Sequence, residues 1–273
     1  EWVSDAIIDD ADWQSWYAAP PVLCDTLIVS MTNSDDGLVI ARNQQTGETE
    51  WQFAMRETPA AILASQGQLL AGTVRGDVYS IDPQNGSQRW RHRLTEFGDP
   101  EDPSGTTRPT ESVRGIDLVD SSVLITGSGF YSSVVSSTDG TQVLEIPSTG
   151  VDQRFTSPDS IFNKPAVVAA DGTAFTVSGS VIQCYDFNSA ETIEEARQWA
   201  FEAAGTIRAT PSLWNEYLIT TDDREQICLL DTETGEPAFT CKLDDPVKKL
   251  VALRNRVLID TKTAVHSVEI KNQ

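Results

Sequence analysis

Apolar and polar residues alternate over short stretches along almost the whole chain, and each stretch ends at a cluster of turn-forming residues. Gly76 to Trp90 shows the pattern at its clearest: Val78-Tyr79-Ser80-Ile81 alternates, Asp82-Pro83-Gln84-Asn85-Gly86 turns, and a second run passes through Trp90. Alternation of period two bounded by Gly, Pro, Asn and Asp predicts a strand, a tight turn and a second strand. Comparable runs are Thr26-Leu27-Ile28-Val29, Leu69-Leu70-Ala71-Gly72, Ser122-Val123-Leu124-Ile125, Ala174-Phe175-Thr176-Val177 and Tyr217-Leu218-Ile219-Thr220. Only 189–198 carries a helical pattern, and it is short. The chain therefore reads as all-β.

The turns recur with a period. Gly47 precedes Trp51 by four residues, Gly86 precedes Trp90, Gly140 precedes Leu144 and Gly235 precedes Phe239; Trp199 holds the same place in a copy whose turn is lengthened by 189–197. Successive aromatic positions are 39, 54, 55 and 40 residues apart. A base period near 40 with two insertions is the length of one four-stranded propeller blade. Within each copy the glycine supplies a positive φ. The aspartate binds the turn backbone, and the tryptophan is an apolar wedge between sheets. Trp214, between two strands, reads as packing.

The wording of the repeat, with Asp, then Gly, then an aromatic four residues on, resembles the pyrroloquinoline-quinone-like (PQQ-like) propeller repeat, strongly around Trp51 and Trp90 and well around Phe239. That superfamily includes quinoprotein dehydrogenases and the scaffold lipoprotein of the outer-membrane barrel-assembly machine. The resemblance implies a single β-propeller over 1–273. Blades fall at 20–55, 59–94, 112–146, 161–202, 208–243 and 246–270, the last completed by a strand at 11–18 around Trp13. Six blades result, or seven if 95–111 or 147–160 hold strands. Ring closure of this kind removes exposed sheet edges. The quinone enzymes are much longer and use adjacent cysteines and a Ca²⁺ site. This chain has no adjacent cysteines, so no PQQ cofactor is expected, and the reading is non-enzymatic.

Charge narrows the partners. The net charge is −21, and the acidity is spread along the chain. Such a surface repels phosphates and argues against nucleic acid. Lysine is scarce and Asp outnumbers Glu, a balance that resembles the proteins of salt-loving archaea. No apolar run approaches the ~18 residues of a membrane span. The chain opens on Glu1, which reads as processing. The expected location is extracytoplasmic or at the cell surface, with any membrane association through a removed or lipidated N-terminus; a halophile cytoplasm is the alternative.

Three groups of residues are candidates for a site. The segments 95–111 and 147–160 connect blades, fall on one face of a propeller, and exceed the length of ordinary connections. They carry Phe97, Arg108, Arg154 and Phe155, and Phe130-Tyr131 turns toward the same face. Aromatics beside arginines suit a protein partner; the simpler reading is a loop covering the core. Arg56, Arg114, Lys164, Arg208, Lys248 and Lys249 lie near the starts of inner strands, where they would line a channel mouth able to take an anion. Neighbouring acids such as Glu57 or Asp245 could equally neutralise them. The pairs Asp35-Asp36, Asp222-Asp223 and Asp244-Asp245 are of a kind that can bind Ca²⁺, but solvated turns explain them as well. Only His92 and His266 are present, and no zinc spacing appears.

Cys228 and Cys241 flank the Gly235 turn at nearly equal distances, which predicts that they face each other across paired strands within disulfide range. A bridge there would contribute about 3 kcal/mol in the chain-entropy model; two buried thiols are the alternative. Cys24 and Cys184 read as core. Taken together these features predict a scaffold docking a protein on the face of 95–111 and 147–160. The rivals are a ligand-binding or enzymatic propeller using the basic channel mouth, and a structural subunit of a surface assembly.

Overall fold

The computed structural model describes residues 19–32, 37–94, 112–128, 131–147, 163–188, 190–253 and 256–269. They form six antiparallel sheets, five of four strands and one of three. The first is β1 (Val22–Cys24), β2 (Leu27–Met31), β3 (Leu38–Asn43) and β4 (Thr49–Ala54), and the second is β5 (Pro59–Ser65), β6 (Gln68–Thr73), β7 (Asp77–Ile81) and β8 (Gln88–Arg93). The third holds β9 (Val113–Val119), β10 (Ser122–Gly127), β11 (Tyr131–Ser136) and β12 (Gln142–Pro147). The fourth holds β13 (Asn163–Val168), β14 (Ala174–Ser178), β15 (Val181–Tyr185) and β16 (Arg197–Glu202). The fifth is β17 (Ser212–Trp214), β18 (Tyr217–Thr221), β19 (Gln226–Asp231) and β20 (Pro237–Lys242), and the sixth is β21 (Val247–Leu253), β22 (Arg256–Thr261) and β23 (Val265–Glu269). Each strand pairs with its neighbour in sequence, so every sheet is a meander.

Burial follows strand position. The second strands β6 and β14 and the third strand β7 are buried on both faces almost throughout, whereas the fourth strands β4 and β8 bury one side chain, the tryptophan, among exposed neighbours. Doubly covered strands need continuous apolar or small residues and outer ones alternate, which is how Leu69-Leu70-Ala71-Gly72 and Gln88-Arg89-Trp90-Arg91 differ. The helical stretch of the fourth sheet is one short turn, α1 (Ile193–Ala196), started by a capping box in which Thr192 and Glu195 bond each other's backbone.

The chain divides into two compact units, 1–127 with 131–143 and 128–130 with 144–273. In the first, Val29, Val39, Ala41 and Trp51 pack with Leu69, Ala71, Tyr79 and Ile81, and on the other side of the second sheet Leu70, Val78 and Trp90 pack with Val113, Ile116, Val123 and Ile125. In the second, Phe175, Ile182 and Cys184 meet Leu218, Cys228 and Leu230, while Ile219 and Ile227 meet Leu250, Val257 and Ile259.

One device recurs within both units. The Trp51 indole donates from Nε1 to the Pro83 carbonyl at 2.8 Å, Trp90 to Ser137 at 3.0 Å and Trp199 to Thr232 at 3.0 Å. Each acceptor lies three residues before the turn glycine of the following sheet. Gly86 has φ +72°, as a turn glycine should, but it has a second reason to be glycine: a Cβ there would lie 2.7 Å from the Trp51 ring. Gly140 stands in the same relation to Trp90 and Gly235 to Trp199. The repeat's glycine and tryptophan are thus the two halves of one joint, contributed by consecutive sheets.

Candidate functional site

Several predicted site residues lie outside the described residues: Phe97, Arg108, Phe130, Arg154 and Phe155. Tyr131 opens β11. The basic residues fall in both units. Arg56 is exposed, at φ +60°, between β4 and β5, and Arg114 is half-buried on β9. Lys164 is half-buried on β13, and Lys248 and Lys249 are exposed on β21. Arg208 is exposed and lies 3.4 Å from Asp223. At Arg208, then, pairing with a neighbouring acid accounts for the charge. Asp223 and Asp222 also hold their own turn together, accepting from Thr206, Arg224 and Gln226 backbone N–H groups at 3.0 Å. Among the described residues no three His, Cys, Asp or Glu side chains converge as metal ligands.

The cysteine pairing is corrected. All four thiols are free. A register shift between Leu229 and Leu230 pairs Cys228 with Thr240 and Cys241 with Ile227. Adjacent residues on a strand point to opposite faces, so the two sulfurs enter different cores, Cys228 beside Phe175 and Leu218, Cys241 beside Ile219 and Ile259. The Thr240 hydroxyl lies 3.7 Å from the Cys228 sulfur. Burial pushes both thiols up, and Cys184 to about 12, which leaves them unreactive. The same slip, just before the turn, occurs at Ala41/Arg42, Ser80/Ile81 and Cys184/Tyr185. Across the turn the Asp231 N–H donates to the Glu236 carbonyl, so the hairpin is centred before Gly235 and equal spacing from the glycine misplaces a cross-strand pair.

The most elaborate polar cluster is one that sequence reasoning missed. Asp77 opens β7 with its side chain fully buried. Arg91 grips it with both prongs, Nε to Oδ1 at 2.9 Å and Nη2 to Oδ2 at 2.7 Å. Arg93 does the same at 2.9 and 2.5 Å and also reaches Glu57 at 3.4 Å. Glu57 in turn accepts from the Thr73 hydroxyl at 2.8 Å, and Thr73 Oγ1 accepts from the Asp77 backbone N–H at 3.1 Å. The Arg91 guanidinium lies 5.4 Å from the centre of the Tyr79 ring, Phe53 meets the same ring edge-on, and the Tyr79 hydroxyl donates to the Met55 carbonyl. Burial alone would raise the Asp77 carboxyl, but hydrogen bonds from Arg91 and Arg93 outweigh it and hold the group below its usual range. Arg89, next along β8, pairs with Asp82 at 3.1 Å. The sequence signal was present as Arg89, Arg91 and Arg93 at alternate positions on one strand of a strongly acidic chain. Arg91 and Arg93 share Asp77, with Glu57 beside Arg93, and Arg89 has Asp82, so the cluster joins β4, the 55–58 connection and the second sheet rather than presenting net charge to a ligand.

Asp117 on β9 is the converse case. Burial pushes its carboxyl up to about 6. It pairs in register with Leu124, and Gly115, on the same face, with Thr126, whose buried hydroxyl has no hydrogen-bond partner among the described residues.

The family described as outer membrane protein assembly factor BamB matches residues 10–192, two thirds of the chain. The chain belongs to the BamB family. The match, a PQQ-like β-propeller repeat family, includes Trp51, Asp77, Trp90 and the first three sheets, and stops inside the lengthened turn of the fourth. No curated protein matches the chain. Among solved structures, BamB from Moraxella catarrhalis is 17% identical with a TM-score of 0.64, over 96% of this chain and 73% of that one. The computationally designed Ika8 protein is 11% identical with a TM-score of 0.70, over 93% and 71%. At these identities the likeness carries the fold alone, and it extends past the family match into the fifth and sixth sheets. Among the described residues no helix is long and apolar enough to cross a membrane.

Proposed function

We propose that this protein is a non-catalytic protein-binding scaffold acting in assembly outside the cytoplasm. The observation that carries the reading is the BamB family match over residues 10–192, whose description is that of an outer membrane protein assembly factor. The partner docks on the face bearing 95–111 and 147–160, where Phe97, Arg108, Arg154 and Phe155 supply aromatic and arginine anchors of the kind that dominate interface energetics. In this reading 1–273 is one domain of six blades that takes no pyrroloquinoline quinone. The sixth sheet has three strands with β23 at its edge, and residues 11–18 supply the fourth. The −21 charge suits a salt-rich medium, in which counter-ions relieve the repulsion.

The test is crosslinking in envelope fractions of the source cells, followed by capture of the full chain. Alanine at Phe97, Arg108 and Arg154 should reduce recovery of one stoichiometric partner at least tenfold without moving the melting temperature; unchanged recovery sinks the proposed face. Deleting 1–18 should lower the melting temperature and promote association, and a truncated chain with an unaltered melt removes the closing strand.

A further inference from the structure

The turn that receives Trp51 carries an acceptor motif that the scaffold reading does not use. We propose that Asn85 is a site of N-linked glycosylation, taking an oligosaccharide from a lipid-phosphate-linked donor. Asn85-Gly86-Ser87 is the one Asn-x-Ser/Thr stretch in the sequence. Asn85 and Ser87 are exposed, whereas Pro83 and Gly86 on either side of Asn85 are buried beneath the Trp51 ring. The joint therefore holds the turn from below and presents the asparagine outward.

The local hydrogen bonds suit the chemistry. Asn85 Oδ1 accepts the Ser87 backbone N–H at 2.8 Å. A hydrogen bond to the amide oxygen favours the imidate-like form in which the nitrogen is nucleophilic. Transfer forms the bond from Nδ2 to the anomeric carbon of the sugar. It breaks that carbon's bond to the carrier phosphate oxygen, which leaves with the electron pair, and the proton that Nδ2 gives up passes to the departing phosphate. The competing reaction of an Asn-Gly pair is attack of the glycine nitrogen on the side-chain carbonyl. Here the Gly86 N–H is engaged with the Asp82 carbonyl at 2.8 Å.

A sister turn shows that the hydroxyl two residues on is within reach. In Asp139-Gly140-Thr141 the frame is the same: Gly140 donates to Ser136 at 2.9 Å and Thr141 N–H to Asp139 Oδ1 at 3.1 Å. There the Thr141 hydroxyl also donates to Asp139 Oδ1, at 2.7 Å. Asp139 is exposed like Asn85 but has no side-chain nitrogen to react. The corresponding residues of the first and fifth turns are Thr46 and Thr234, so Asn85 stands alone among them.

This site rests on the extracytoplasmic placement proposed above. The full chain, exported under an added signal sequence into a eukaryotic secretory lumen, is measured by intact mass and by glycopeptide sequencing. One glycan per chain at Asn85 is expected, none in Asn85→Gln or Ser87→Ala, and two in Asp139→Asn, which completes an Asn-Gly-Thr sequon on the sister turn. A bare Asn85 in the exported chain overturns the proposal, as does a glycan mass that survives in Asn85→Gln. Protein from its own cells distinguishes the two readings. Recovered outside the cytoplasm but unmodified at Asn85, it overturns the glycan alone; recovered inside, it overturns the placement and the glycan together.

Discussion

The joint between the first and second sheets and the joint between the fifth and sixth are built from the same repeat yet differ in almost every contact. At the first, Trp51 is 8% exposed, its indole bonded to Pro83 and its ring seated on Gly86. Beside it Asp77, Arg91, Arg93, Glu57 and Tyr79 form a linked polar cluster. At the second, the equivalent residue is Phe239, 56% exposed and without an N–H to donate. Beyond it, β23 carries Val265 and Val268 at 67% and 45% exposure. The apolar core below is shared by both joints, since Ile219, Ile227, Val257 and Ile259 pack much as Ala41, Leu69, Ala71 and Ile81 do. Sheet-to-sheet burial is therefore the common element, and the aromatic-in-turn contact is an addition made at the joints of Trp51, Trp90 and Trp199.

Five predictions sharpen that contrast. Trp51→Ala should have the largest effect, about 3–5 kcal/mol in denaturant-induced unfolding, as for other buried large-to-small changes. Asp77→Ala leaves two arginines facing each other. It should cost about 2–3 kcal/mol, less than a fully buried pair, because both guanidiniums are half exposed. The same residue gives a pH signature. Its folded pKa is below the unfolded value, so its contribution is complete above about pH 4 and disappears as pH falls through the folded pKa. A stability-versus-pH series should therefore show a shallower acid limb in Asp77→Asn than in the parent chain. Trp51→Phe keeps an aromatic ring but loses part of the indole's volume and the hydrogen bond to Pro83, so about 1–2 kcal/mol is expected. Phe239→Ala should stay within about 0.5 kcal/mol; a loss as large as that of Trp51→Ala would mean that the two joints are alike after all.

Much of this was legible in the sequence. The turn residues Asp82-Pro83-Gln84-Asn85-Gly86 and the doubly apolar run Leu69-Leu70-Ala71 determine local backbone geometry and burial, and both are encoded within a few residues. The tryptophans were legible as wedges, but not their acceptors, because Trp51 and Pro83 lie in different repeats. The Cys228–Cys241 pairing was misread because Gly235 is not the centre of its hairpin: Asp231 bonds Glu236 across the turn, which leaves Cys228 opposite Thr240, and nothing in the spacing shows this. The Asp77 cluster escaped notice for a related reason. It draws on β7, β8 and the 55–58 connection, and its charges cancel, so neither a motif nor a local charge excess announces it. The anchors at Phe97, Arg108, Phe130, Arg154 and Phe155 lie outside the described residues.

The three indole N–H groups bonded to turn carbonyls also make each joint its own reporter. Indole protons held by Pro83, Ser137 and Thr232 each exchange with deuterated solvent only when that joint opens, and they are followed among the indole signals of the chain's seven tryptophans. Their exchange rates would rank the sheet-to-sheet seams by opening free energy, one seam at a time, with no label added and no residue changed.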